Sequence, residues 1–414
     1  MSFFHVAAIL VTVAALSSYL NQRYLRLPAT IGLMAVALVA SLALLASGRL
    51  GVLDLGPAAA FIRGVDLGDV LLHGMLAFLL FAGALHVDLG ELRREAAAVS
   101  VLSTFGVAAA TLVAGGLFFV ATRALGFQLT LPWALLFGAL ISPTDPIAAL
   151  GILRKSGAPR ALETQLIGES LFNDGIGVLI FLAFVEGVRG GAVGTFSEVA
   201  TSLVVESLGA VLLGAALGWV TYRLLRSVDA YEVEAMLTLA LAMGSYSLAE
   251  IAGVSAPITV VVAGLIIGNQ GRAFAMSEKT RHHLDSFWGL IDEILNAILF
   301  VLLGLEVLPE PLGLEHLLAV LLAIAVVLAS RALSVALSAL LIGRWHRADV
   351  PGLVVLVWGG LRGGISVALS ISLPAGPEKD LIVAVTYGVV VFSVLVQGLT
   401  LGRVVRYLRA RVPA

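Results

Sequence analysis

The sequence predicts an all-α membrane protein of about thirteen transmembrane helices, and three observations carry that prediction. Of 414 residues, 60% are hydrophobic and only 13% are charged, against roughly 25% charged in a soluble domain. The mean hydropathy is +1.05. The apolar runs are about 20 residues long, which crosses a hydrocarbon core of roughly 30 Å as a helix. They also lack the strand-length polar alternation of a membrane β-barrel.

The expected spans lie at 3–20, 27–47, 70–87, 96–122, 132–152, 163–184, 199–222, 235–252, 256–269, 284–305, 314–342, 351–374 and 380–402. The first has no positively charged leader and contains Ser17 and Ser18, so it reads as a retained span and not as a cleaved signal. With the N-terminus outside, eighteen basic residues, among them Arg23, Arg93, Arg154, Arg272 and Arg403, fall on the cytoplasmic side. Five, namely Arg49, Arg63, Arg123, Arg189 and Lys379, fall opposite, and Arg331 and Arg362 lie inside spans. This positive-inside bias places the N-terminus out and the C-terminus in. Loops are short, so no soluble regulatory domain is expected. The absence of cysteine excludes disulfides and thiolate metal sites.

Charged residues inside apolar spans are the chemical signal. Asp145 sits in ISPTDPIAAL, Glu169 and Asp174 in GESLFNDGIG, and Arg362 in WGGLRGGISVAL. A charge at the bilayer centre costs about 3 kcal/mol even on mild scales, so such residues mark ion or proton paths.

Two spans also carry helix breakers. Pro143 and Pro146 flank Thr144 and Asp145 in the fifth span, and Gly359, Gly360, Gly363 and Gly364 surround Arg362 in the twelfth. Broken helices expose backbone groups that only protein or a water cavity can cover. At matching places in two halves they point to inverted repeats with a midplane site, here spans 1–6 and 8–13 around a linking seventh. Asp145 can complement positive helix N-termini or ligate an ion, and Arg362 can balance the negative ends.

In the sixth span, Ser170 and Asp174 share a face, as do Glu169 and Asn173 on the next strip. A hydroxyl with a carboxylate is a hard oxygen pair suited to a small cation. Asp174 and Arg362 both lie roughly 16 Å from their cytoplasmic ends by helical rise, and Glu169 is expected to neutralise Arg362.

SPTDP at 142–146, GESLFNDG at 168–175, GVSAPITVVVAGLIIGN at 253–269, LIDEILNAILFVLLGLE at 290–306 and GLRGGISVAL at 360–369 together resemble the monovalent cation:proton antiporters of the NhaP and Na+/H+ exchanger type over nearly the whole chain. The resemblance implies a plasma-membrane homodimer with crossed discontinuous helices in spans five and twelve. It implies that Asp174 carries cation and proton, that Ser170 and Thr144 assist coordination of the transported Na+, and that Asp145 compensates helix dipoles. Asn173 then supports the site and indicates electroneutral exchange, and Glu169 with Arg362 forms a structural pair. Many relatives carry an acidic residue where this chain has Ala82. The expected division puts the transport core at about 70–184 and 284–402, excluding 314–342, and the dimer helices at about 1–47 and 199–269.

Simpler roles stand beside these. Ser170 and Thr144 can bond back to helix carbonyls. Asp292 and Glu293 can line an inward funnel or face the aqueous boundary. Arg331 reads as a packing or snorkelling residue, and His73 and His86 as ordinary hydrogen-bonded histidines. The function expected is exchange of Na+ or Li+ for protons, with K+/H+ exchange as the alternative and a cation channel behind it. No HExxH, GxSxG or phosphate-loop context supports an enzyme, and no cofactor or nucleic acid is implied.

Overall fold

The computed structural model describes residues 3–50, 70–145, 147–189, 196–305, 314–343 and 350–409. Within them the chain is helical with no strand, as expected where a bilayer offers backbone amides no water and each helix must satisfy its own. The main helices are α1 (Phe3–Leu20), α2 (Ala29–Arg49), α3 (Leu76–Leu85), α4 (Val107–Ala124), α5 (Leu131–Ile141), α6 (Ile147–Ser156), α7 (Arg160–Val188) and α8 (Phe196–Leu225). They continue as α9 (Tyr231–Ala252), α10 (Ala256–Ile266), α11 (Glu278–Leu305), α12 (Leu314–Leu341), α13 (Val350–Gly359), α14 (Gly364–Ile371), α15 (Pro377–Phe392) and α16 (Gly398–Arg409). Among the described residues nine helices are long and apolar enough to cross a membrane, or ten if the bent pair α13 and α14 is one span.

Local chemistry sets the boundaries. Pro132, Pro257 and Pro377 lie in the first turns of α5, α10 and α15, where a missing N–H costs nothing. Gly253 ends α9 in the left-handed region at φ 65°, which glycine enters without a Cβ clash. Residues 393–397 form a π-helical turn joining α15 to α16, a local widening that often accompanies function.

Two apolar clusters organise the helices. One joins α3, α9, α10 and α11 through Phe81, Leu241, Val260 and Trp288, with α8 packed against it; the Phe81 and Trp288 rings lie 4.7 Å apart. The other joins α4, α5, α7, α12, α14 and α15 through Phe118, Phe137, Phe181, Ala323 and Val385, with the Phe118 and Phe137 rings 4.1 Å apart. A third links them where Met34 and Phe300 of α2 and α11 meet Val367 and Val390 of α14 and α15.

Helix α12 packs inside the second cluster against α4 and α15, with Ser330, Arg331, Ser334 and Ser338 on its buried side. Helices α3 and α11 pack with α10 and α2.

Helices α4 and α5 approach at small residues, as membrane helices commonly do. A Cβ on Gly138 would lie 2.2 Å from the Thr111 carbonyl oxygen, whereas one on Gly116 would meet nothing within 4 Å. Gly138→Ala is therefore expected to lower stability by about 1–3 kcal/mol, while Gly116→Ala holds or raises it. Thermal unfolding midpoints of the two variants check this.

Candidate functional site

The site begins where two helices stop. Helix α5 ends at Ile141, Ser142 to Asp145 leave the helix, and α6 starts at Ile147. Pro143 lacks the amide that would continue the ladder. Opposite, α13 ends at Gly359 and α14 starts at Gly364 with a 45° bend between them. The two interruptions satisfy one another. The Asp145 amide donates to the Leu361 carbonyl at 2.8 Å. The Arg362 guanidinium donates from Nη1 to the carbonyls of Ser142 and Pro143, the latter at 3.0 Å, and the Arg362 amide donates to Ser393 Oγ at 2.9 Å. Positive charge at the C-terminal end of α5 is the arrangement that a helix dipole favours. A Cβ on Gly363 would fall 2.2 Å from Asp145 Oδ2; glycine there lets the Asp145 carboxylate approach the start of α14.

Helix α7 crosses this junction and supplies the polar side chains. Ser170 Oγ and Thr144 Oγ1 are 3.0 Å apart, and Asn173 Nδ2 donates to Thr144 Oγ1 at 2.8 Å. Asn173 is fully buried, and its Oδ1 has no hydrogen-bond partner among the described residues. Asp174, 6% exposed, lines a cavity of about 310 Å³ together with Thr144, Asp145 and Ser170. That cavity passes Ala82 and His86 and reaches Arg154 and Asp292. The structure therefore brings Thr144, Asp145, Ser170, Asn173 and Asp174 into one place.

Two expectations differ from the geometry. Glu169 does not pair with Arg362. It forms a two-pronged ion pair with Arg331 of α12, in which Arg331 Nη1 donates to Oε1 and Nη2 donates to Oε2 at 2.8 Å. Arg331 Nη2 also donates to the Leu356 carbonyl at 3.0 Å. Arg331 is 5% exposed, so it is a buried partner and not a snorkelling side chain. The long Arg331 side chain of α12 reaches Glu169 of α7, while Arg362 is taken up by carbonyls. The signal in the sequence was the lone arginine in a long apolar helix, which demands an acidic partner. Ser393 was also missed, because a serine in a span carries no signature.

The remaining candidates separate cleanly. Asp292 lines the cavity and accepts from Asn296 Nδ2 at 3.0 Å, whereas Glu293 is exposed and does not line it. His86 lies within hydrogen-bonding distance of the Ala82 carbonyl, 2.8 Å from Nδ1. The His73 side chain lies outside the described residues.

Breaking a buried ion pair from one side leaves an uncompensated charge. Glu169→Gln is expected to destabilise the protein by about 3–5 kcal/mol, and the double variant Glu169→Leu with Arg331→Met to recover most of that loss. Unfolding midpoints of the single and double variants measure it.

Comparison with known proteins adds to this geometry. A family model described as sodium/hydrogen exchanger, transmembrane, matches residues 9–407. The chain is 48% identical over 414 residues to the Na+/H+ antiporter NhaP of Pseudomonas aeruginosa, a match that covers 99% of this chain and 97% of that one. It is 36% identical over 293 residues to the Na+/H+ antiporter NhaH of Halobacillus aidingensis, covering 68% of this chain and 70% of the relative. In fold it matches the sodium proton antiporter MjNhaP1 of Methanocaldococcus jannaschii, with a TM-score of 0.78 at 21% identity and 99% of each chain covered.

Proposed function

This chain belongs to the sodium/hydrogen exchanger family of membrane transporters, and from that premise we propose that it exchanges Na+ or Li+ for protons at Asp174. The observation that carries the reading is a buried carboxylate opening on a cavity beside the paired hydroxyls of Thr144 and Ser170. The sodium named for the relatives supports Na+ over K+.

Asp174 binds either a proton or a cation, and competition between them is the exchange. The hydroxyl oxygens of Thr144 and Ser170 add hard ligands suited to a small cation, and the Asn173 amide holds Thr144 in place. When neutralised by either ion, the site can cross a low-dielectric region; the empty charged site crosses rarely because of its desolvation cost. One carboxylate that carries one charge in each direction makes the cycle electroneutral, with neutral Asn173 beside it. Asp145 complements the start of α14, and Arg362 caps α5.

The proposed topology has thirteen crossings in two inverted repeats, N-terminus out and C-terminus in, in a plasma-membrane homodimer. Helical segments at each expected span and the mutual bonding of the two breaks support it. On this orientation the cavity running to Arg154 and Asp292 is the inward path. Asp292 in its wall concentrates cations, and Ala82 adds an uncharged stretch of wall.

Proteoliposomes loaded with a pH-sensitive dye provide the test. Wild-type protein is expected to show Na+-dependent proton movement and Asp174→Asn to show none; full exchange by the variant overturns the carrier assignment. Thr144→Val and Ser170→Ala are expected to raise the apparent KM for Na+ about tenfold, the loss of one ligand contact. Because protons compete with Na+, that KM should fall as pH rises, by up to about tenfold per pH unit where protons dominate the site. A KM independent of pH contradicts the shared carboxylate.

A further inference from the structure

A second polar cavity lies away from Asp174, at the connection between α10 and α11. The chain leaves α10 at Ile266, forms a π-helical turn to Gly271 and a short helix over Arg272–Phe274, and enters α11 at Glu278. A connection between two successive membrane helices lies at the bilayer surface. The cavity there measures about 410 Å³ and is lined by Gln270, Arg272, Phe274 and Arg281, with no acidic residue in its wall.

The two arginines carry more positive charge than their surroundings cancel. Arg272 donates from Nη2 to the Asp285 carboxylate, while its Nε is buried without a hydrogen-bond partner. Among the described residues Arg281 donates from its Nε to the Met276 carbonyl at 3.3 Å and pairs with no carboxylate. Asp285 pairs with Arg272, and the neighbouring Asp229 carboxylate is taken up by Ser277 and Thr280, so neither acid pairs with Arg281 in the cavity wall. Burial and the charge of Arg281 lower the pKa of Arg272, so the two groups repel one another at this distance. Arginines that serve only to orient a membrane protein need no such proximity, and an anion relieves it. Beside them Phe274, 71% exposed, presents an apolar ring at the rim of the cavity.

We propose that this cavity binds the phosphate of an anionic phospholipid, with Arg272 and Arg281 as its ligands. Guanidinium groups match phosphate oxygens with paired donors, and basic pockets between membrane helices are suited to acidic headgroups. The proposal rests on α10 and α11 spanning the membrane and is independent of the role of Asp174.

The full chain in neutral detergent can be titrated with dioctanoyl phosphatidylglycerol while its thermal unfolding is followed. The matched controls are dioctanoyl phosphatidylcholine and free glycerol phosphate. The expected result is saturable stabilisation by the anionic lipid alone, with apparent affinity weakened about tenfold in Arg281→Gln and unchanged in Arg93→Gln, an exposed arginine elsewhere. Arg281→Gln keeps the Arg272–Asp285 pair and so guards against loss of the fold; Arg272→Gln should weaken binding as well. Equal stabilisation by phosphatidylcholine, or an unchanged affinity in Arg281→Gln, overturns the site. Equal affinity for glycerol phosphate overturns the lipid as its ligand in favour of a soluble phosphate.

Discussion

The transport region depends on two interrupted helices that satisfy each other's backbone. Inside a membrane an unmet amide or carbonyl costs several kcal/mol, so neither the break at Ser142 to Asp145 nor that at Gly360 to Gly363 is stable alone. The Asp145 amide on the Leu361 carbonyl, and the Arg362 guanidinium on the carbonyls of Ser142 and Pro143, remove that cost. Once the breaks are held together, Thr144 projects beside α7, and Ser170, Asn173 and Asp174 meet it there.

A second buried interaction makes this arrangement affordable in charge. Five ionisable side chains, Asp145, Glu169, Asp174, Arg331 and Arg362, lie in α7, α12 and the two breaks, and all but Asp145 are buried. Because Arg331 takes Glu169, Arg362 is left to the carbonyl ends of α5. The pair also ties α12 to α7, and the Arg331 contact with the Leu356 carbonyl ties it to α13. Three helices are thus registered by one guanidinium.

Much of this was legible in residue types. Pro143 and Pro146, and the glycines around Arg362, declare interruptions because their backbone chemistry breaks a helix wherever it occurs. The strip of Ser170 and Asp174 is legible because helical periodicity alone puts residues four apart on one face. Partner choice was not. Glu169 had two arginines within membrane depth, and depth along a helix does not say which neighbouring helix is adjacent. Ser393 is a further case, since its value lies in facing the Arg362 amide from a widened turn.

The sequence by itself determined that this is a helical membrane protein, where its helices break, and which polar residues of the sixth span share a helix face. Those properties follow from composition, periodicity and local backbone chemistry, which act within a few residues. Only the tertiary structure decided that Glu169 belongs to Arg331, that Arg362 serves carbonyls, and that Asp292 but not Glu293 shares the cavity of Asp174. These are choices between partners distant in the chain, and they are made by helix packing, which hydropathy does not encode.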